Sequence, residues 1–159
     1  PGVIAAALAT YPGLPHRLEQ VATIDGVRYV NDSKATNGEA AARALASFDD
    51  IYWIAGGIAK EDGLFPTDPY LDRVRRAFLI GEAAKDFERH LAHRVPVTQS
   101  GDLETAIADA RRYADAEGAE APVVLLSPAC ASFDQFRNFG ARGDAFRRIV
   151  EGIAKETGS

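Results

Sequence analysis

Hydrophobic and polar positions along this chain alternate between strand-like and helix-like periods, separated by short glycine-, proline- and asparagine-rich breaks. Residues 17–24 (RLEQVATI) and 27–31 (VRYVN) flank Asp25-Gly26, a two-residue turn signal, and predict an antiparallel hairpin. Thr36-Asn37-Gly38-Glu39 reads as a capping box, with the Thr36 hydroxyl taking the Glu39 amide, and opens an alanine-rich helix to about Phe48. Residues 51–55 (IYWIA) form a continuous apolar run that ends at Gly56-Gly57, the pattern of a buried parallel strand. A helix is predicted over 67–75 and a strand over 76–80, stopped by Gly81. Ala84, Phe87 and Leu91 share a helical stripe, Pro96-Val97 marks a short strand, and Leu103, Ile107, Ala110 and Ala114 mark one face of another helix. The clearest strand is 122–126 (PVVLL), which delivers 127–132 (SPACAS) as a loop. Helix-prone sequence follows from Asp134, and a last helix restarts at Gly143-Asp144 with Phe146, Ile149, Val150 and Ile153 inward. Strands alternating with helices imply an α/β domain with a mostly parallel sheet and an N-terminal antiparallel hairpin. Residues 1–14, with Tyr11-Pro12-Gly13, are expected to be a helical tail and linker from a preceding central domain, leaving 15–159 as one domain.

Composition narrows the function classes. The chain has 159 residues, 47% hydrophobic, enough for one domain with a proper core. A formal net charge of −5 speaks against a nucleic-acid surface, which needs clustered Lys and Arg; Arg73, Arg75 and Arg76 read as solvated helix faces. No apolar run approaches the roughly 20 residues of a membrane span. One cysteine, Cys130, excludes an internal disulfide and fits a reducing, cytoplasmic compartment. Residue 1 is proline and methionine is absent, as expected of a segment of a longer protein or a processed product.

Three loops follow strands, where open α/β sheets bind ligands: 31–37, 56–60 and 127–139. The first offers Asp32, Ser33, Lys34 and Thr36 before a helix N-terminus, a place suited to anions; equally, Thr36 is only a cap and Lys34 a surface charge. The second offers Gly56-Gly57 and Lys60, and reads about equally as a plain turn. The third offers backbone amides and the Ser132 hydroxyl for a carboxylate; the structural alternative makes Ser132 a helix cap with Phe136 and Phe139 in the core. Cys130 reads as a buried inert thiol, His90 and His93 as solvated, and no metal-ligand spacing is visible. The phosphate-binding pattern G-x-x-x-x-G-K-[ST] does not occur.

The motifs themselves go further. In order along the chain, 14–19 (LPHRLE), 30–37 (VNDSKATN), 55–57 (AGG) with Lys60, 125–136 (LLSPACASFDQF) and Arg142-Gly143 strongly resemble the C-terminal third of the Mur ligases. The match runs over essentially the whole chain from residue 13. The SPACAS block points to the member that adds D-glutamate to UDP-N-acetylmuramoyl-L-alanine, while the HRxE and NDSKATN segments are shared with folylpolyglutamate synthases.

The resemblance implies a Rossmann-like three-layer C-terminal domain of a cytoplasmic, ATP-dependent ligase of peptidoglycan biosynthesis, and so of cell shape and division. There, ATP with Mg2+ phosphorylates the muramoyl-alanine carboxylate and the D-glutamate amine attacks the acyl phosphate. The family positions matching His16, Arg17, Asp32 and Lys34 lie on the nucleotide and phosphoryl side, with Arg17 and Lys34 the catalytic candidates. Those matching Thr36, Lys60, Ser132, Phe133 and Phe139 surround D-glutamate. The family loop before Lys60 often carries glycine and an acidic residue, where this chain has Ile58-Ala59. The ATP loop, magnesium ligands and UDP-binding region belong to other domains. The isolated domain is therefore expected to be an inactive monomer with no bound cofactor or metal, contacting neither nucleic acid nor membrane. The competing readings are a free-standing amino-acid or nucleotide-binding module and the equivalent domain of a folylpolyglutamate-type ligase.

Overall fold

The Asp25-Gly26 turn, with both residues at positive φ (51° and 82°), folds β1 (Glu19–Ile24) antiparallel onto β2 (Val27–Asn31). The computed structural model describes residues 15–158; the tail and linker expected over 1–14 lie outside the described residues. After β2 come α1 (Gly38–Leu45), β3 (Ile51–Gly56), β4 (Ile58–Ala59), a 3-10 helix (Phe65–Arg73) and β5 (Val74–Ile80). Then follow α2 (Ala84–Leu91), β6 (Val97–Gly101), α3 (Leu103–Glu117), β7 (Val123–Leu126), β8 (Cys130–Ala131) and α4 (Phe139–Glu156).

Six strands form one sheet in the order β1-β2-β7-β3-β5-β6, with every pair parallel except β1 and β2. The apolar run of β3 is buried on both faces because side chains alternate across a strand. Ile51, Trp53 and Ala55 enter one core with α1, the 3-10 helix and α2, while Tyr52 and Ile54 enter the other with α3 and α4. Val123 and Leu125 divide from Val124 and Leu126 in the same way. The result is three layers, helix-sheet-helix, as the resemblance implied, around the mostly parallel sheet that the alternation predicted.

Several local expectations change. The cap of α1 is Asn37, not Thr36: its extended backbone (φ −148°) lets Oδ1 accept from Ala40 N at 2.9 Å, and the helix ends at Leu45 rather than near Phe48. The helix expected over 67–75 is a 3-10 helix over Phe65–Arg73, with Pro69 inside it removing a backbone donor that an α-helix would use. Arg75 and Arg76 consequently lie on β5, with Arg76 stacked over the Tyr113 ring at 4.2 Å. Ser132 caps no helix. The segment after it stays in turns because Asp134 accepts from Glu82 N (3.0 Å) and Gln135 donates to Gly101 O (2.9 Å). One unbroken helix then starts at Phe139, capped by Asn138, instead of restarting at Gly143. His90 is not solvated; its Nε2 lies 2.7 Å from Asp68 Oδ1 and its ring meets Phe65 edge-on. No helix among the described residues is long and apolar enough to cross a membrane.

At the end of β3 the chain turns through Gly56 at φ 132°, and a Cβ there would meet Ile80 O at 1.9 Å. At Gly26 (φ 82°) a Cβ would meet nothing within 4 Å. Gly56→Ala is therefore expected to cost at least about 3 kcal/mol, combining backbone strain with a clash against a strand that cannot yield, and Gly26→Ala only about 1 kcal/mol. Urea unfolding of both variants checks this, and equal losses would contradict it.

Candidate functional site

Because β2, β7 and β3 are neighbours and parallel, the loops after them leave the sheet at one edge and meet. Backbone hydrogen bonds join them directly. Asp32 N donates to Leu126 O (2.8 Å), Ala129 N to Ala35 O (2.9 Å), and Gly56 N to Pro128 O (3.0 Å). Pairing of β4 with β8, Ile58 to Ala131 and Ala59 to Cys130, draws the Lys60 loop against the third loop. Gly57 allows that approach; a Cβ on it would lie 2.4 Å from Ala131 O.

Arg17, Asp32 and Lys34 line one cleft of about 370 Å³, joined by Arg43 on α1. Among the described residues the side chains of Arg17, Lys34 and Arg43 make no hydrogen bond or ion pair, so three cations face the same open space. Asp32 is buried at their base. Its Oδ1 accepts from Leu18 N (3.1 Å) and its Oδ2 from the Ser127 hydroxyl (2.8 Å). Burial pushes its pKa up to about 6, against those hydrogen bonds and the pull of Arg17 and Arg43. His16 is turned away into the domain: Asn31 Nδ2 donates to its Nδ1 at 2.9 Å, and its Nε2 lies 3.5 Å from Asp144. Gly143 makes room for the ring, since a Cβ there would fall 2.1 Å from Nδ1.

Of the residues expected around an amino acid, Lys60 is exposed and lines a second cleft of about 260 Å³ with Asn37 and Glu39, beside the half-buried Thr36. Ser132 is only 2% exposed, and its hydroxyl has no hydrogen-bond partner. Phe139 lies at the start of α4, edge-on to His16 with ring centres 6.2 Å apart, and its carbonyl accepts from the Ser33 hydroxyl at 2.7 Å. Phe133 is 69% exposed and stands apart from this packing. Burial pushes the Cys130 thiol up to about 12, so it is neither thiolate nor nucleophile. Among the described residues no group of three or more His, Cys, Asp and Glu side chains could hold a metal ion.

Two residues here have no role legible in the sequence. Arg43 looks like any exposed helix cation. Arg142, quoted only as part of a motif, is 1% exposed; its Nε donates to Ser33 Oγ (2.9 Å), Nη2 to Ser33 O (2.7 Å) and Nη1 to Cys130 O (3.1 Å). No carboxylate among the described residues lies at ion-pair distance from it, and burial pulls its pKa down to about 10. A pattern reader sees an arginine in a helix; only the packed loops reveal what it holds.

The Asp32 carboxyl gives a pH signature. Folded Asp32 keeps its proton up to about pH 6, whereas an unperturbed aspartate ionises near 3.8. Between those values the folded chain binds the extra proton, so this group's contribution falls as pH rises and is flat above about 6, a change of up to about 3 kcal/mol. Urea unfolding of wild type and Asp32→Asn from pH 4 to 7 should show the stability difference drifting by that order across the window. Parallel curves would contradict the burial argument.

Comparison with known proteins identifies the family. The family model described as "Mur ligase, glutamate ligase domain" matches residues 16–130. The chain is 53% identical over 152 residues to a UDP-N-acetylmuramoylalanine-D-glutamate ligase of Rhodospirillum rubrum, covering 96% of this chain and 32% of that protein. It is 50% identical over 151 residues to the ligase of the same name from Nitrobacter winogradskyi (95% and 32% covered). For the one from Rhizobium etli, identity is 54% over 143 residues (90% and 30% covered). The chain thus spans about a third of the length of these curated relatives. A bifunctional folylpolyglutamate synthase/dihydrofolate synthase from Yersinia pestis shares the fold, with a TM-score of 0.54 at 20% identity over 89% of this chain and 31% of that one. With the matched segment running from His16 through the loops of the site to Cys130, the chain belongs to the Mur ligase, glutamate ligase domain family.

Proposed function

We propose that this chain is the C-terminal amino-acid-binding domain of an ATP-dependent ligase that joins D-glutamate to UDP-N-acetylmuramoyl-L-alanine through an acyl phosphate. The observation that carries this reading is the pairing of two unlike half-sites at one sheet edge. Three unpartnered cations, Arg17, Lys34 and Arg43, line one cleft, and the partnerless buried hydroxyl of Ser132 belongs to the adjoining loop. Cations gathered around a cleft suit the phosphates of a nucleotide, Lys34 as a point charge and the arginines as bidentate donors. ATP would supply the phosphoryl group that activates the acceptor carboxylate; Arg17 and Lys34 would face the charge that builds on it, with Arg43 behind them. Magnesium, which accompanies ATP in such ligases, is assigned to the rest of the enzyme.

On the amino-acid side, the Ser132 hydroxyl, Lys60 and Thr36 would supply donors and a charge for the carboxylates of D-glutamate, with the Phe139 ring at the margin. Names of the relatives support D-glutamate as the amino acid. The test is to assay a full-length ligase carrying this domain with ATP, UDP-N-acetylmuramoyl-L-alanine and either enantiomer of glutamate. Amide formation with D-glutamate alone is expected; use of L-glutamate, or of a folate acceptor, would overturn the reading. The 159-residue chain alone is expected to show no ATP turnover above background.

Substitutions divide the two half-sites. Lys34→Ala and Arg17→Ala are expected to lower kcat by about 10²–10³, the effect of losing one preorganised charge contact in a transition state. Ser132→Ala is expected to raise the KM for D-glutamate more than about tenfold while leaving that for ATP nearly unchanged, since a hydrogen bond to a charged group contributes about 1.5–3 kcal/mol. Steady-state kinetics with each substrate varied in turn would decide it, and a Ser132→Ala enzyme with unaltered D-glutamate dependence would move the site elsewhere.

A further inference from the structure

Resting on that two-half-site reading, we infer that Arg142 is the positioning residue that locks the phosphate loop to the amino-acid loop, through Ser33 on one side and Cys130 on the other. Ser33 lies between Asp32 and Lys34, and Cys130 lies two residues before Ser132. One guanidinium therefore fixes the spacing between the groups assigned to phosphate and those assigned to D-glutamate. Its three contacts, Ser33 Oγ, Ser33 O and Cys130 O, lie 2.7–3.1 Å away, and Ser33 Oγ passes the tie on to Phe139 O.

A mere filler of the core would not look like this. Burying a guanidinium is costly, and here no carboxylate compensates it at ion-pair distance among the described residues. Asp134 acts on it only at longer range, and desolvation already weakens its hold on the proton. What the cation gains is a rigid planar fork able to bond two separate loops at once, which neither lysine nor an apolar side chain reproduces. Its charge also sits at the Cys130 carbonyl on β8, two residues before Ser132.

The decisive variant is Arg142→Lys, which keeps the charge and the stem but offers one donor centre that cannot serve both loops. In the full-length ligase it is expected to raise the KM of the amino-acid substrate at least tenfold and to lower kcat, with the protein still folding cooperatively. The second measurement is a double-mutant cycle. Ser132→Ala, expected to change that KM more than tenfold in wild type, is expected to change it less than threefold in the Arg142→Lys background, because the loop is already displaced. A purely structural arginine predicts a lower Tm, unchanged kinetic constants per folded molecule and a full tenfold Ser132 effect in both backgrounds; that result overturns the inference. The measurement applies to whichever amino acid the wild-type enzyme joins. An enzyme that uses another amino acid therefore defeats the D-glutamate reading and still tests Arg142.

Discussion

Polar backbone has to be satisfied where β2, β7 and β3 run out of the sheet together, and the rest of the structure at that edge answers this constraint. The three strands are buried on both faces, so their emerging peptide groups have little water to turn to. They turn to each other. Asp32 N takes Leu126 O, Ser127 N takes Ile54 O, and Trp53 Nε1 donates to Ser127 O at 2.8 Å from inside the core. Arg142 completes the set by occupying the carbonyls of Ser33 and Cys130. Asp32 does the same work for donors, accepting from Leu18 N and from Ser127 Oγ. A network of this kind makes the loops one object rather than three, because displacing any member strands a partner in a low-dielectric interior.

Most of the fold was legible because it rests on periodicity. The stripe at Leu103, Ile107, Ala110 and Ala114 is buried along α3, and the unbroken apolar runs of β3 and β7 are the central strands. The misreadings fall where two signals of similar strength compete. Thr36 and Asn37 are both good caps, and only the backbone, extended at Asn37, decides between them. The sequence from Asp134 onward reads as helix-prone, yet the side chains of Asp134 and Gln135 bond Glu82 N after β5 and Gly101 O at the end of β6. Those partners are distant in sequence, so no local rule could name them. The same holds for β4 and β8, two residues each, which exist only because they pair with each other.

The site was legible in its positions and less so in its supports. That Asn31–Asn37, Gly56–Lys60 and Ser127–Phe139 follow strands was legible in the alternating pattern; that they meet depends on the order β2-β7-β3, which no local signal carries. Which side chains turn outward does not follow. His16, grouped by resemblance with the phosphate residues, has its ring held by Asn31 beside Gly143, while Arg43, a residue with no motif, faces the cleft. Arg142 belongs to a motif, yet its role was not legible for a related reason: an arginine in a helix normally extends toward solvent, and its burial is specified by the carbonyls it finds rather than by its neighbours in sequence.

Charge distribution gives the final reason to place binding at this edge. The chain carries a net charge of −5, so its long-range field does not favour an anion. Several of its arginines are matched with acids, among them Arg73 with Asp49, Arg75 with Asp50, Arg111 with Asp115, Arg112 with Asp109 and Arg147 with Glu19, while Arg28 and Arg76 rest on rings and neutral oxygens. What sets the carboxyl edge apart is that unmatched cations gather there. Arg17, Lys34 and Arg43 stand unpaired around one cleft, its single acid is buried below and held by Leu18 and Ser127, and Arg142 remains an unneutralised cation beneath the adjoining loop. Since screening in water confines an exposed charge to about 8–10 Å, only these local cations can set the potential a ligand meets. The same loops hold the buried, partnerless hydroxyl of Ser132. On the proposed reading, an anion bearing acceptor oxygens would answer both deficits at once.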